Sequence, residues 1–170
     1  RDGRVDGLFI LQSDFDDRYI RQAVALGLPV VVLNRNLPEG LESDRVACVY
    51  SDHRLMMRMV VDEFVGLGCR SILNFSDKAS VFANRESVKG LEEAVQAHGG
   101  AGVVGETREP LWTTTGPDAD ALFVNGCPWD GIFVNGSSLV GELLRASAAR
   151  GFKPGRDYQL ITTDAFPESE

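Results

Sequence analysis

Polar side chains recur in this 170-residue chain at one kind of place, immediately after a short apolar run. The run ending at Leu11 gives way to Gln12-Ser13-Asp14, and VVVL to Asn34-Arg35-Asn36. SILNF leads into Ser76-Asp77, GIFV into Asn135-Gly136-Ser137, and LI into Thr162-Thr163-Asp164. Amides, hydroxyls and carboxylates are the groups that pair with the hydroxyls of a small polar ligand, and a buried ligand hydroxyl must be paired to be bound tightly. Taken singly, Asn, Ser and Asp after a strand also serve as helix N-caps and turn formers. Their recurrence after successive runs reads as a polar rim around a crevice.

Reactive constellations have no comparable pattern. The two histidines, His53 and His98, stand beside no Ser or Cys in a GxSxG elbow, and neither GxGxxG after a strand nor GxxxxGK[ST] occurs. Cys48, Cys69 and Cys127 are odd in number and lack metal-like spacing, which fits free thiols in a reducing compartment. Asp14, Asp16 and Asp17 cluster at a helix start, where carboxylates complement the helix dipole better than they would hold a metal. The residues therefore predict no catalytic centre, no cofactor and no metal. A net charge of −8 counts against nucleic-acid binding by this segment itself, because phosphates are gripped by clustered Lys and Arg. No apolar stretch approaches the roughly 20 residues of a membrane helix. The opening RDGRVDG, without Met and entering a strand at once, reads as a cut end.

What must position the rim is a series of strands. VDGLFIL and LPVVVLN are strand-like; between them DDRYIRQAVALG places Tyr19, Ile20, Ala23, Val24 and Leu26 on one helical face before a Gly stop. The cadence continues through strand RVACVYSD, helix HRLMMRMVVDEFVGLG, strand RSILNFSD, helix ANRESVKGLEEAVQAHGG and strand AGVVGE. A polar stretch TREPLWTTTG, a short helix PDADALFVNG, strand WDGIFVNG, helix SSLVGELLRASAARG and strand DYQLITTDA complete it. Alternation of this kind defines a doubly wound α/β architecture with parallel strands. Strands inside such a sheet are buried on both faces and read as continuous aliphatics, and ligands collect beyond their carboxyl ends. That accounts for four aliphatic residues, Val30 to Leu33, running straight into Asn34 and Arg35.

VDGLFIL, LGLPVVVLNR, the crossover helix closing in GLGCRSILNFSD, RESVKGLEEAVQAHG and WDGIFVNGSSLVGELLRASAARGFKPGRDYQLITTDA, in that order, resemble the effector-binding core of the lactose-repressor (LacI-type) family of transcription regulators. The resemblance implies a two-lobed, type I periplasmic-binding-protein-like fold, incomplete at both ends. Residues 1–51 would form the latter part of the N-terminal lobe, and 52–170 the crossover helix and most of the C-terminal lobe. It further implies a cytoplasmic, homodimeric regulator in which a small-molecule effector, a sugar or related metabolite, binds between the lobes. Operator DNA would be bound through a headpiece outside this chain. A periplasmic sugar-binding protein of an ABC-type transporter shares the fold and is the alternative.

Carried over by position, the expected ligand-binding residues are Ser13, Asn34, Arg85, Trp112, Asn135 and Asp164. Asn34 stands where the family often has a carboxylate. Ser87 stands where an Arg is common, with Arg85 two residues earlier, and Gly136 replaces an Asp after Asn135. Trp112 would act as a platform for a sugar face, or fill a seam. Trp129 is expected to pack under its strand, and Met56, Met57 and Met59 to divide between core and a partner-facing surface.

Overall fold

A computed structural model describes residues 5–11, 16–77, 82–114 and 116–163. Its first part is built from β1 (Leu8–Ile10), α1 (Asp17–Ala25), β2 (Val30–Leu33) and β3 (Val46–Val49). The three strands form a parallel sheet in the order β1-β2-β3. Asp16 starts α1 by accepting the Arg18 N–H at 2.8 Å, so one member of the acidic cluster is an N-cap, and Asp17 pairs with Arg35. Ile20 and Ala23 of α1 are buried on Ile10, Val30 and Val32, with Val24 packed alongside, whereas Tyr19 and Leu26 lie exposed.

β2 departs from the expectation that it is buried on both faces. Val30 and Val32 are covered by α1, but on the opposite face Val31 and Leu33 are only partly buried. Their neighbours there, Phe9 and Val49, are 75% and 61% exposed. Among the described residues, nothing layers this second face.

The second sheet is larger. After Tyr50, Ser51 and Asp52 the chain enters α2 (His53–Gly66), whose N-cap Asp52 accepts the Leu55 N–H at 2.9 Å. Then follow β4 (Ser71–Ser76), α3 (Phe82–Ala97), β5 (Val104–Arg108), β6 (Leu111–Thr113) and β7 (Gly116–Asp118). β8 (Gly131–Asn135), α4 (Ser137–Ala149) and β9 (Gln159–Thr162) complete the described chain. The order β5-β4-β8-β9 is parallel throughout. α2 and α3 cover one face with Met57, Val61, Phe64 and Leu91, and α4 covers the other with Leu139, Val140 and Leu143. Trp129 packs as expected, 6% exposed and edge-on to Phe123. Met57 is fully buried and Met59 is 63% exposed.

The connection from β5 to β8 corrects a second expectation. In place of a short helix over 117–126 the chain makes the antiparallel hairpin β6–β7 and a 3-10 turn at Asp120–Phe123. Pro117 is instead drawn into β7 opposite Trp112, and Asp118 Oδ1 accepts the Asp120 N–H at 2.8 Å, which holds a turn there. The expected strand 101–106 likewise starts later, at Val104, because the glycines of 99–102 form a 3-10 turn in which Gly102 has φ 70°.

Candidate functional site

Residues two apart on a strand share a face, and the face of the second sheet under α2 and α3 changes character along its length. Towards the amino ends of the strands it is apolar: Ile72 of β4, Phe133 of β8 and Ile161 of β9 pack with Phe64 and Leu91. Gly131 lies so close to the Phe64 ring that a Cβ would stand 2.8 Å from it. Towards the carboxyl ends the same face turns polar, with Asn74 and Ser76 on β4, Thr107 on β5, Asn135 on β8 and Thr163 just beyond β9. α3 adds Asn84 and Ser87 from above, both buried.

Hydrogen bonds knit most of this band. Asn135 Nδ2 donates to Asn84 Oδ1 at 3.1 Å, and Thr163 Oγ1 donates to Asn135 Oδ1 at 3.4 Å. Asn74 Nδ2 donates to Thr107 Oγ1 at 3.2 Å, and the Ser87 hydroxyl returns to the Ala83 carbonyl at 3.0 Å. Two atoms of the band are left over: Asn74 Oδ1 and Ser76 Oγ are buried without a partner among the described residues. An orphaned buried polar group costs about 1–3 kcal/mol. Beside the band Trp112, on the hairpin, donates its indole N–H to Asp77 Oδ1 at 3.0 Å, so the hairpin is latched to the end of β4.

A cavity of about 310 Å³ opens where the two sheets meet. Its walls are Asn36 from the loop after β2, the connecting residues Tyr50, Ser51 and Asp52, His53 and Arg54 of α2, and Phe82 and Glu86 of α3. Tyr50 meets the Phe82 ring edge-on at 5.5 Å. Arg54 bridges Glu86 at 2.7 Å and Glu93 at 2.8 Å, tying α2 to α3. Burial tends to raise the Glu86 carboxyl, but hydrogen bonds from Lys89 and Arg54 outweigh it and hold the group below its ordinary value. His53 is pushed below its ordinary value by burial, against the opposing pull of Asp52 and Glu86.

The expected ligand residues are distributed unevenly over this geometry. Asn135 lies in the polar band and Trp112 at its edge. Arg85 is exposed on α3, its guanidinium 5.9 Å from the centre of the Phe82 ring rather than within the band. Asn34 ends β2 on the first sheet with φ 59°, its N–H donating to the Val49 carbonyl at 2.8 Å. Ser13 and Asp164 fall outside the described residues. The band also contains Asn74, Ser76 and Asn84, which sequence reasoning did not select. The signal was there in SILNFS, because an Asn inside an apolar run of a parallel strand must be buried at a cost. Among the described residues no group of three or more His, Cys, Asp or Glu could hold a metal ion, and no helix is long and apolar enough to cross a membrane.

The architecture is shared with solved structures of regulator effector domains. A LacI-family sugar-binding transcriptional regulator from Escherichia coli, solved with phosphate, superposes with a TM-score of 0.77 at 20% identity, over 98% of this chain and 59% of that one. A periplasmic binding protein/LacI transcriptional regulator from Alkaliphilus metalliredigens, bound to D-xylulofuranose, gives 0.70 at 23% identity over 94% and 56%. The CelR–cellobiose complex gives 0.74 at 22% identity over 95% and 49%. The chain thus has the periplasmic-binding-protein-like fold of these domains and spans well under two thirds of their length. No protein-family model matches the sequence, and no curated protein sequence does.

Proposed function

We propose that the chain is the effector-sensing part of a LacI-type transcription regulator, binding an uncharged sugar or sugar-like metabolite at the carboxyl ends of its strands. The observation that carries this reading is the polar band: amides and hydroxyls gathered on one sheet face at the end where an open α/β sheet takes its ligands. Neighbours of the same fold are solved with D-xylulofuranose and with cellobiose, which supports a sugar. Residues 1–51 would belong to one lobe and 52–170 to the crossover and the second lobe, with the ligand seated between them. Ser13, Asn34, Arg85, Trp112, Asn135 and Asp164 remain the proposed contacts, of which Asn135 belongs to the band and Trp112 stands beside it. Occupancy biases the relation of the lobes only to the extent that the ligand binds one arrangement better than the other. In the whole polypeptide, a cytoplasmic homodimer, that bias would set the spacing of DNA-binding headpieces.

The test uses the full-length polypeptide. Thermal-shift measurements against cellobiose, D-xylulose, D-fucose and D-ribose are expected to show at least one ligand that raises Tm, because a ligand that binds only the folded state stabilises it. The same ligand should alter retention of operator DNA in a gel. Ligand binding without any DNA binding would transfer the protein to the transporter-associated class, and no stabilisation by any uncharged sugar would remove the sensing role.

A further inference from the structure

We propose that Ser76 and Asn74 form the floor of the ligand site and select an uncharged ligand that presents O–H or N–H donors, an inference that rests on the sensing role above. Both residues are wholly buried, yet Ser76 Oγ and Asn74 Oδ1 have no hydrogen-bond partner among the described residues. With Asn74 Nδ2 given to Thr107, what remains of the amide is an acceptor, and the Ser76 hydroxyl can accept or donate. The two lie on one face of β4, about 7 Å apart along the strand. Ser76 is in register with Asn135, and the next residue, Asp77, holds Trp112. The orphaned atoms therefore lie directly beneath the rim.

The sheet itself does not require polar groups here. Ile72 occupies the same face of the same strand and is almost fully buried against α2 and α3, so apolar side chains are accommodated in that layer. A polar residue that costs stability where an apolar one would fit is the mark of a position kept for function. The band's named members are amides and hydroxyls without a formal charge, so a phosphate, carboxylate or charged amine seated directly on Asn74 and Ser76 would meet no opposite charge on that floor. A buried water bridging the two orphans would satisfy them without any ligand, and that case predicts a different result.

The experiment compares full-length wild-type protein with Ser76→Ala and Asn74→Leu, singly, by thermal unfolding and by calorimetric titration. The probes are cellobiose, D-xylulose and D-fucose, with D-ribose 5-phosphate as the anionic control. Ser76→Ala removes an orphaned hydroxyl and should raise the Tm of the ligand-free protein by about 2–4 °C, whereas Asn74→Leu also loses the bond to Thr107 and is read by affinity alone. Each substitution should weaken the binding of whichever sugar the wild type takes roughly tenfold or more. A lower ligand-free Tm for Ser76→Ala would mean that the hydroxyl is already satisfied within the fold, by water or otherwise, and would overturn the proposal. Unchanged affinity in both variants would overturn it while leaving the sensing role intact. Tighter binding of the phosphate than of every uncharged sugar would overturn the ligand class. Failure of the wild type to bind any uncharged probe would count against the sensing role and remove the floor with it.

Discussion

Asn135 takes part in two contacts at once, and each of them reaches a different element, α3 through Asn84 and the end of β9 through Thr163. Asn135→Ala is expected to remove the hydrogen bonds to Asn84 and Thr163 and to destabilise the protein by about 1–3 kcal/mol, measurable by urea unfolding. His53 makes a prediction about pH. Its folded-state value lies below the ordinary 6.5, so the unfolded chain binds more protons as pH falls beneath that value, and stability declines there. His53→Gln should flatten the dependence of Tm on pH between neutrality and about pH 5; an unchanged slope would assign it to other groups. At this scale the sequence was informative where a residue ends an apolar run, as Asn135 does, and silent where a polar residue sits within one, as Asn74 does. Asn84 was hidden for another reason: on a helix, which residue faces the sheet ends depends on the packing angle, which one sequence does not fix.

Glycines record how closely the elements approach. A Cβ at Gly90 of α3 would stand 2.8 Å from Arg54 Cα and 2.9 Å from Met57 Cβ, backbone and near-backbone atoms that cannot swing away. Gly90→Ala is therefore expected to push α2 and α3 apart and cost about 1–3 kcal/mol. Gly66, with open space around it, should accept Ala with no such penalty, and the pair can be compared by chemical denaturation. The strands and four helices of the alternating pattern were legible because each joins a periodic apolar face to a Gly or polar stop. The β6–β7 hairpin was not. Leu111, Trp112 and Thr113 are all exposed, so no apolar alternation betrays a strand there, and what orders them is the Trp112–Asp77 hydrogen bond and the Thr113 hydroxyl donating to the Gly116 carbonyl at 2.8 Å.

On the scale of the whole molecule, the face of the first sheet left open among the described residues is the largest conflict between pattern and packing. Parallel strands are normally layered on both sides, and Phe9 and Val49 stand open. A polypeptide of these 170 residues alone is expected to bind an apolar dye and to self-associate with rising concentration, and joint Phe9→Asp and Val49→Asp substitution should reduce both, as read by fluorescence and sedimentation. Exposed Leu55 and Met59, one turn apart on α2, suit the proposed homodimer seam, so Met59→Glu in the full-length protein should shift sedimentation towards the monomer. Among the described residues the two sheets share no strand, and the chain passes from one to the other through Tyr50-Ser51-Asp52. Severing the backbone between Tyr50 and Ser51 would interrupt no ladder of paired strands, so the two pieces are natural partners for fragment complementation, in which reassembly of separately produced halves reports directly on whatever holds them together.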